Sequence, residues 1–564
     1  MKRIISVALT GVACLTVASP AFGAGMGVNT HVDHKYPVDS NLRLVTDGSF
    51  EWTRDSVGWT GVESVKGIKA IQDYNMYWAK QLEDKGINQL LVLGYGNDIA
   101  YDVESKFVMP TKDNEEYYNG FLDYVRFVVD SIGDYTDAYE IWNEPNYTTF
   151  NYNLDLADGT EYAKLYLDCA KIIREKDPTA RILCGAMMGD STAARSYGEQ
   201  IFEYIKTFGD VNELIDVFSI HKYSDDAEGA YADALWRWET VFDKYGYTGD
   251  VWMTENGAST YTGDGVSEAE QAAYVARCMV QWEKYLHESG RRGENFWYDL
   301  KNDGETADNK EHNYGLADYD YNVKPAYNTA KLYNKLTNSK EQVNYTESGN
   351  GYVAEYSDGV DKAFVIYGTD GAQKVSLSGD KVYVYDSSGE VTEELTDYDG
   401  TKEFAVSGEP VFVQCINDSL KLTEADYNTN KNVIDIEGTA PGAESVMITL
   451  ESDGTVLQSK SVKVNEDNVF RKTFTAINGG ICVIRISDGK SEITKEIKCM
   501  KYSYEKKAPS DAAVAYDVTT KSGTVSATVS DAVDGEIVLV YKGYRRKLYN
   551  TCKSDRSRIM SAYC

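Results

Sequence analysis

Two glutamates stand out because of the residues around them. Glu144 lies in the stretch "YEIWNEPN", directly after Asn143, and Glu255 lies in the stretch "VWMTENG". In each case an apolar, strand-like run ends in a carboxylate, which is typical either of a solvated turn or of the rim of an active site. Two carboxylates held close together can share a reaction, one acting as nucleophile or base and the other as acid. Whether these glutamates lie in solvated turns or at the rim of an active site depends on the fold that positions them.

The alternation of short apolar runs with amphipathic stretches predicts a (β/α)8 barrel over residues 25–338. The predicted strands are 26–31, 50–54, 89–94, 138–143, 181–185, 217–221, 251–255 and 295–298. The predicted helices are 76–85, 117–131, 161–175, 196–208, 231–245, 268–288 and 326–336. Strand followed by helix, about eight times over, favours a closed barrel over an open doubly wound sheet. No G-x-G-x-x-G follows the first strand, which argues against dinucleotide binding.

Several predicted strands end in residues that could bind a ligand. In a (β/α)8 barrel the active site lies at the carboxyl ends of the strands, where the βα loops begin. Any one polar residue there is more often just a solvated rim position, but polar or aromatic groups at six strand ends indicate a binding cleft. Besides the two glutamates, the candidates are His31, Arg54, Tyr95, Asn97, Asn143, His221, Tyr223 and Trp297.

The two glutamate motifs resemble those of a known group of enzymes. "EIWNEPN" and "WMTENG" are similar to the motifs that retaining glycoside hydrolases of clan A place after strands four and seven of a (β/α)8 barrel. The stretches "TRDSVGWTGVESVKG" at 53–67 and "GLADYDYNVKPAY" at 315–327 resemble family-39-type or cellulase-like members of that clan. The resemblance covers residues 25–338 and leaves the rest of the chain without a named relative.

The resemblance implies a role for each residue of the central site. Glu144 is expected to be the general acid/base and Glu255 the nucleophile, with the two carboxyl groups about 5–5.5 Å apart. Asn143 is expected to bind the 2-hydroxyl of the sugar. Tyr223 is expected to orient Glu255, and Arg54 to keep it ionised through a charge-assisted hydrogen bond.

The remaining candidates are expected to contact the sugar around this centre. His31 and His221 could each bind hydroxyl groups, with an ordinary structural histidine as the alternative. Trp297 is expected to form the floor on which a sugar ring stacks, with core packing as the alternative. Tyr95 and Asn97 are expected to reach further subsites.

Composition restricts the partners and cofactors. The formal net charge of −32 argues against nucleic acid and anionic membranes, which attract basic proteins, and is compatible with a neutral carbohydrate. The expected chemistry requires no cofactor, and no His/Cys/Asp/Glu spacing indicates a metal. The cysteines show no C-x-x-C pair, so Cys169, Cys184 and Cys278 are interpreted as buried thiols. The oligomeric state stays open.

Further segments can be recognised on either side of the predicted barrel. Lys2 and Arg3, a following apolar run and small residues near position 23 predict a signal peptide at 1–24, and therefore a secreted or extracellular protein without membrane insertion. Alternating strands joined by Asp-Gly and Ser-Gly turns predict a β-sandwich accessory domain at 339–418. A second small, Ig-like β-sandwich is predicted at 419–503, and a linker with a partial β module at 504–564.

The combined expectation is a secreted retaining β-glycoside hydrolase. It would cleave a β-linked polysaccharide or oligosaccharide by double displacement. Three alternatives remain open at this point: a catalytically silent barrel that binds carbohydrate or mediates adhesion, an exo-acting β-xylosidase-like enzyme in place of an endo-glycanase, and a secreted lyase or transglycosylase.

Overall fold

Eight parallel strands close into a barrel in the computed structural model. The structure describes residues 25–358, 361–416, 420–428, 433–441, 443–452, 455–465, 468–475, 480–489 and 491–499, and the strands within 514–563. Each barrel strand pairs with the next, and the eighth pairs with the first. The strands are β1 (Gly27–Asn29), β2 (Trp52–Ser56), β3 (Asn88–Leu93), β4 (Ala138–Ile141), β5 (Arg181–Met188), β6 (Val217–Tyr223), β7 (Asp250–Gly257) and β8 (Asn295–Trp297).

Ten α-helices lie within the described residues, all of them in the barrel region. They are α1 (Val38–Asp47), α2 (Trp59–Val62), α3 (Asp73–Lys85), α4 (Glu115–Ile132), α5 (Gly159–Lys176), α6 (Thr192–Lys206), α7 (Val211–Leu214), α8 (Ala232–Tyr245), α9 (Glu268–Ser289) and α10 (Pro325–Thr337). All eight predicted strands and seven predicted helices are present, with ends shifted by a few residues. Helices α1, α2 and α7 were not predicted.

The interior of the barrel is filled in layers. A layer of apolar side chains lies towards the amino ends of the strands and includes Trp52, Trp252 and Phe296. Because alternate residues of a strand face the same side, the residues two positions further along also face inward. On β2 and β7 these are Arg54 and Thr254, both buried. The barrel therefore carries a polar layer directly above its apolar one.

A β-bulge brings two successive residues of β7 towards the site. Ile220 pairs with Met253, but the next residue, His221, pairs with Glu255, so that Thr254 is the extra residue on β7. A bulge interrupts the strict alternation of side chains. As a result, the side chains of both Thr254 and Glu255 have partners on the cavity side of the strand.

A six-stranded antiparallel sheet belongs to the same compact unit as the barrel. Its strands are β9 (Glu341–Ser348), β10 (Gly351–Ser357), β11 (Lys362–Gly368), β12 (Ala372–Tyr385), β13 (Val391–Ala405) and β14 (Val411–Ile416), in the order β13-β12-β14-β11-β10-β9. This region forms one hydrogen-bonded sheet, where a sandwich of two sheets was predicted. One set of its side chains, among them Tyr356 and Val365, joins the core of the barrel region, while Phe364 and Val413 belong to a separate apolar core.

The residues after Cys415 belong to a second unit. Its strands are β15 (Lys421–Asn428), β16 (Val433–Thr439), β17 (Ser445–Ser452), β18 (Thr455–Lys463), β19 (Val469–Thr475), β20 (Gly480–Ser487) and β21 (Glu492–Cys499). They form a three-stranded and a four-stranded sheet that share one apolar core, as in a sandwich. The last strands are β22 (Val514–Lys521), β23 (Thr524–Ser530), β24 (Ile537–Tyr541), β25 (Leu548–Lys553) and β26 (Met560–Tyr563).

The predicted fold class is thereby confirmed: a (β/α)8 barrel is followed by antiparallel all-β sheets. Cys169, Cys184 and Cys278 are buried free thiols, as interpreted from the sequence. The signal peptide predicted at 1–24 lies outside the described residues. Among the described helices, none combines the length and hydropathy that crossing a membrane requires.

Candidate active site

A cavity lined by charged and aromatic side chains opens at the carboxyl ends of the barrel strands. It has a volume of about 560 Å³, and both motif glutamates line it. The other predicted site residues that line it are Asn143, His31, Arg54, Tyr95 and Tyr223. Residues from the ends of six different strands or their loops therefore meet at one place, as expected for a barrel active site.

Glu255 is held as an anion by three neighbours. Nη1 of Arg54 donates to its Oε1 at 2.6 Å, and the hydroxyl of Tyr223 donates to its Oε2 at 2.5 Å. Nδ1 of His221 lies 3.4 Å from the same Oε2. Burial alone would raise the pKa of Glu255, but the charge of His221 in its protonated form and the charge of Arg54 outweigh it and hold the pKa below its ordinary value.

Glu144 lies in a different electrostatic environment. Its Oε1 is 2.9 Å from Nδ1 of His221, and no arginine or lysine pairs with it among the described residues. Burial raises the pKa of Glu144 and outweighs the opposing effect that His221 has when its ring is protonated, and the negative charge of Glu255 adds to the increase. Glu144 is therefore the member of the pair that is more readily protonated.

The chain after β4 takes an unusual path that presents Glu144 to the cavity. β4 ends at Ile141, and Trp142 and Glu144 both have positive φ angles, of 65° and 50°. Such angles are uncommon for residues other than glycine and occur most often at functional sites, where the surroundings stabilise them. Here Nε1 of Trp142 donates to the carbonyl of Phe150, which ties this turn to the following loop.

The two carboxylates are close enough to act on one bond. Glu144 and Glu255 each place an oxygen within 4.8 Å of an oxygen of the other. Retaining glycoside hydrolysis requires carboxyl groups about 5–5.5 Å apart, whereas inverting hydrolysis requires about 6.5–9.5 Å to leave room for water. The spacing fits the retaining geometry.

Asn143 is oriented by hydrogen bonds at both ends of its amide. Its Oδ1 accepts from Nη2 of Arg54 at 2.8 Å, and its Nδ2 donates to the hydroxyl of Tyr95 at 3.0 Å. Tyr95 was expected to reach further subsites, but the structure places its hydroxyl against the amide of Asn143, next to Glu144 in the sequence. Arg54 in turn is held by Glu140, whose Oε2 accepts from Nε at 2.7 Å.

His31 forms an ion pair on the β1–β8 side of the cavity. Its Nδ1 lies 3.0 Å from Oδ1 of Asp303 and 3.7 Å from Oδ2 of Asp299. Although burial acts to lower it, the pKa of His31 is raised to about 10, because Asp303 stabilises the charged ring. The ring therefore presents a cation at neutral pH, next to Tyr298 at the cavity wall.

Three sequence-based expectations are corrected by the structure. His221 was expected to bind sugar hydroxyls, but both of its ring nitrogens are engaged, with Glu144 and with Thr254, and it does not line the cavity. Asn97 was expected in a subsite, but it is fully buried, and its side chain holds the carbonyl of Glu63 and the loop amides of 99 and 100.

Trp297 is the third correction. It was expected to be a stacking floor, yet it is fully buried and packs against Tyr274 of α9. The alternation along β8 is the reason: Phe296 faces the barrel interior, so Trp297 faces the surrounding helices. Tyr298, one residue further, lines the cavity in its place.

Several residues of the site were not singled out from the sequence. Tyr298, Tyr314, Phe150 and Glu311 line the cavity from loops whose course the sequence does not show. Glu140 and Thr254 lie inside strands. Glu140 could have been found from the sequence, because a charged residue inside an apolar strand indicates a buried charge that is paired with another group. Both are buried, and they touch each other at 2.8 Å.

Among the described residues, two groups of side chains have donor atoms spaced closely enough for a metal ion. They are His31 with His34 and Asp303, and Glu144 with His221 and Glu255, each within 4.8 Å. In both groups the donors already satisfy one another: Nδ1 of His31 bonds Asp303, and Nδ1 of His221 bonds Glu144. Neither group needs a cation to balance its charges.

Comparison with known structures supports the same architecture. A family 39 glycoside hydrolase from Bacteroides cellulosilyticus WH2 is 24% identical with a TM-score of 0.56, over 69% of this chain and 80% of that one. A β-xylosidase from Caulobacter crescentus CB15 is 14% identical with a TM-score of 0.52, over 70% of this chain and 95% of that one. At these identities the likeness demonstrates a shared fold. A search of curated protein sequences gives no match.

The comparison with protein families adds the chemistry. The model of the family described as "Glycosyl hydrolases family 39" matches residues 124–363, a range that contains both motif glutamates and most of the barrel. The resemblance noted from the sequence is confirmed: the barrel region of this chain is similar to glycosyl hydrolases of family 39, and the protein is a retaining glycoside hydrolase.

Proposed function

We propose that this protein is a secreted β-glycosidase in which Glu255 is the nucleophile and Glu144 the general acid/base. The observation that carries the assignment is the contrast between the two carboxylates. Arg54 and Tyr223 stabilise the anion of Glu255, whereas burial and the neighbouring negative charge favour the protonated form of Glu144. Two carboxyl groups whose environments separate their pKa values take the two roles in acid–base catalysis.

The reaction proceeds in two balanced steps. In the first, an oxygen of Glu255 attacks the anomeric carbon, the bond to the leaving oxygen breaks, and Glu144 gives that oxygen its proton. In the second, Glu144 removes a proton from water, the water oxygen attacks the anomeric carbon, and the ester to Glu255 breaks. Once Glu255 is esterified its charge is lost, so the pKa of Glu144 falls and its carboxylate can act as a base.

Asn143 assists both steps in this proposal. Its amide is held in one orientation by Arg54 and Tyr95, so that it can contact the 2-hydroxyl of the sugar bound at Glu255. Such a contact strengthens as the oxocarbenium-like transition state forms. A preoriented amide loses little free energy to reorganisation during the reaction.

The proposed substrate is a β-linked polysaccharide or oligosaccharide outside the cell. Lys2, Arg3 and the apolar run after them support export, and the net charge of −32 favours a neutral over an anionic polymer. An exo-acting, β-xylosidase-like activity is the second candidate, since one structural neighbour is described as a β-xylosidase. Amino-terminal sequencing of the secreted protein tests export, with cleavage expected after Gly23 or Ala24.

The test of the activity is a screen against aryl β-glycosides and β-linked polysaccharides, with Glu144→Gln and Glu255→Gln in parallel. Loss of activity in both variants, with the anomeric configuration retained in the product, is the expected result. Measuring new reducing ends separates hydrolysis from transglycosylation, and ultraviolet absorbance of an unsaturated product reveals a lyase. Sugar binding without turnover by the parent protein would support a silent binding barrel and overturn the assignment.

A further inference from the structure

The hydroxyl of Thr254 joins two residues beneath the proposed acid. Its Oγ1 lies 2.8 Å from Oε1 of Glu140 and 3.1 Å from Nε2 of His221. All three side chains are almost completely buried. On its other side, His221 contacts Glu144 through Nδ1 at 2.9 Å. A continuous line of hydrogen bonds therefore runs from Glu140 to Glu144.

The direction of these hydrogen bonds follows from the number of available hydrogens. Glu140 pairs with the guanidinium of Arg54 at 2.7 Å, so its carboxylate acts as an acceptor only. A threonine hydroxyl has one hydrogen, and here it is donated to Glu140. The oxygen of Thr254 can then only accept from the ring of His221. The hydrogen in that contact must belong to Nε2 of His221.

This orientation determines what the other ring nitrogen can do. In the state in which Glu144 holds its proton, His221 is a neutral imidazole with one hydrogen, and with that hydrogen on Nε2 the Nδ1 atom is an acceptor. We propose that Thr254 and Glu140 are positioning residues that hold His221 in this tautomer, so that Nδ1 accepts the proton of Glu144. The hydrogen bond then favours the protonated form of Glu144, which is the form that an acid catalyst needs.

The opposite tautomer would have the opposite effect. With its hydrogen on Nδ1, neutral His221 would donate to Oε1 of Glu144 and stabilise the carboxylate, which lowers the pKa of the acid. The other groups that act on this pair are Glu255 of β7 and Arg54 of β2. A substitution at Thr254 leaves both of these side chains in place. A shift of the pKa of Glu144 in such a variant therefore reports a change in the tautomer of His221.

The functional test compares Thr254→Val with Thr254→Ser and Thr53→Val. Valine removes the hydroxyl at nearly constant volume, and serine restores it. Thr53 is the matched control because it is also fully buried on a barrel strand, and its hydroxyl has no hydrogen-bond partner among the described residues. In Thr254→Val the basic limb of the kcat/KM profile is expected to move about one unit towards lower pH. Thr254→Ser and Thr53→Val are expected to keep the parent profile.

The leaving group provides a second functional readout. If Glu144 is less often protonated, the hydrolysis of substrates with poor leaving groups is expected to slow by about tenfold or more. The hydrolysis of dinitrophenyl glycosides is expected to change little, because their leaving group needs no proton. An equal loss on both substrates in Thr254→Val, or an unshifted basic limb, would overturn the proposal. A shift of the same size in Thr53→Val would do so as well.

The direct test is the tautomer itself. The chain has five histidines, so 15N-histidine-labelled protein gives few ring signals, and His221→Gln assigns the one of interest. The parent is expected to show a protonated Nε2 and an unprotonated Nδ1 at high pH, and Thr254→Val a change towards the other tautomer. A protonated Nδ1 in the neutral parent ring would overturn the proposal.

This inference rests on the proposed role of Glu144, but the two can fail separately. If Glu144→Gln keeps full activity on substrates with poor leaving groups, the proposed function fails whatever the spectrum shows. If Glu144→Gln is inactive and the spectrum shows Nδ1 protonated, the acid role stands and the positioning role is wrong.

Discussion

Nη1 of Arg54 lies 2.6 Å from Oε1 of Glu255, and both side chains are buried at the barrel rim. The same guanidinium bonds Glu140 and Asn143, so one cation contacts the proposed nucleophile, the amide next to the proposed acid and the carboxylate beneath them. This contact makes the two motif glutamates chemically unequal, and substitutions around them should reveal that inequality in kinetics and stability.

Replacing Arg54 should affect both the pH profile and the stability. In Arg54→Met the pKa of Glu255 rises, because a positive charge that stabilised its anion is lost, so the acidic limb of kcat/KM moves to higher pH. Breaking a buried ion pair also costs about 3–5 kcal/mol of unfolding free energy. Arg126→Lys is the control, since it changes an exposed pair worth about 0–1 kcal/mol. Equal denaturation midpoints for Arg54→Met and the parent would contradict this prediction.

The hydroxyl of Tyr223 should matter for catalysis more than for stability. Tyr223→Phe removes a 2.5 Å hydrogen bond to Glu255, so kcat is expected to fall by about 10²-fold, the cost of losing one preoriented donor. Tyr274→Phe serves as the control, because the buried hydroxyl of Tyr274 has no partner among the described residues. Steady-state kinetics of the two variants are the measurement; a similar small change in both would refute the role of Tyr223.

Trp297 and Tyr298 should separate stability from substrate binding. Trp297→Ala empties a fully buried site and should lower the free energy of unfolding by about 3–5 kcal/mol. Tyr298→Ala truncates a side chain that lines the cavity and should raise KM by about tenfold or more. Chemical denaturation and kinetics on both variants check the difference. A larger effect on KM in a folded Trp297→Phe than in Tyr298→Ala would restore Trp297 as the stacking floor.

The ion pair of His31 and Asp303 predicts a pH-dependent stability. Because the pKa of His31 is raised from 6.5 to about 10, its stabilising contribution is complete below pH 6.5 and is lost as the pH rises towards 10. Asp303→Asn should therefore be less stable than the parent by about 2 kcal/mol near pH 6, and the difference should shrink near pH 10. Urea unfolding at the two pH values measures it, with the exposed Asp320→Asn as control. A difference that grows with pH would contradict the assignment.

The fold could be predicted from the sequence because its signal is repeated. Eight alternations of strand and helix leave few topologies, and residues such as Glu144 and Glu255 are recognisable because a charge ends an apolar run. Helix α1 (Val38–Asp47) was missed because its polar residues, such as Asn41, obscure its apolar face, although Asn41 is buried.

The contacts inside the site could not be predicted in the same way. The roles of Thr254 and Glu255 depend on a β-bulge that pairs His221 with Glu255, and the sequence carries no sign of it. Trp297 was misassigned because the sequence does not show which residues of β8 face the inside of the barrel. Phe296 faces inward in the closed barrel, so the next residue, Trp297, faces outward.

The role of Glu255 as the nucleophile is tested by identifying the residue that bears the sugar during turnover. The protein is incubated with the 2-deoxy-2-fluoro glycoside of the sugar found in the screen, which slows the second step, and is then digested and analysed by mass spectrometry. The expected result is one added glycosyl group, located on Glu255, and none in Glu255→Gln. A glycosyl group on another residue, or turnover of an active enzyme with inversion and no adduct, would contradict it.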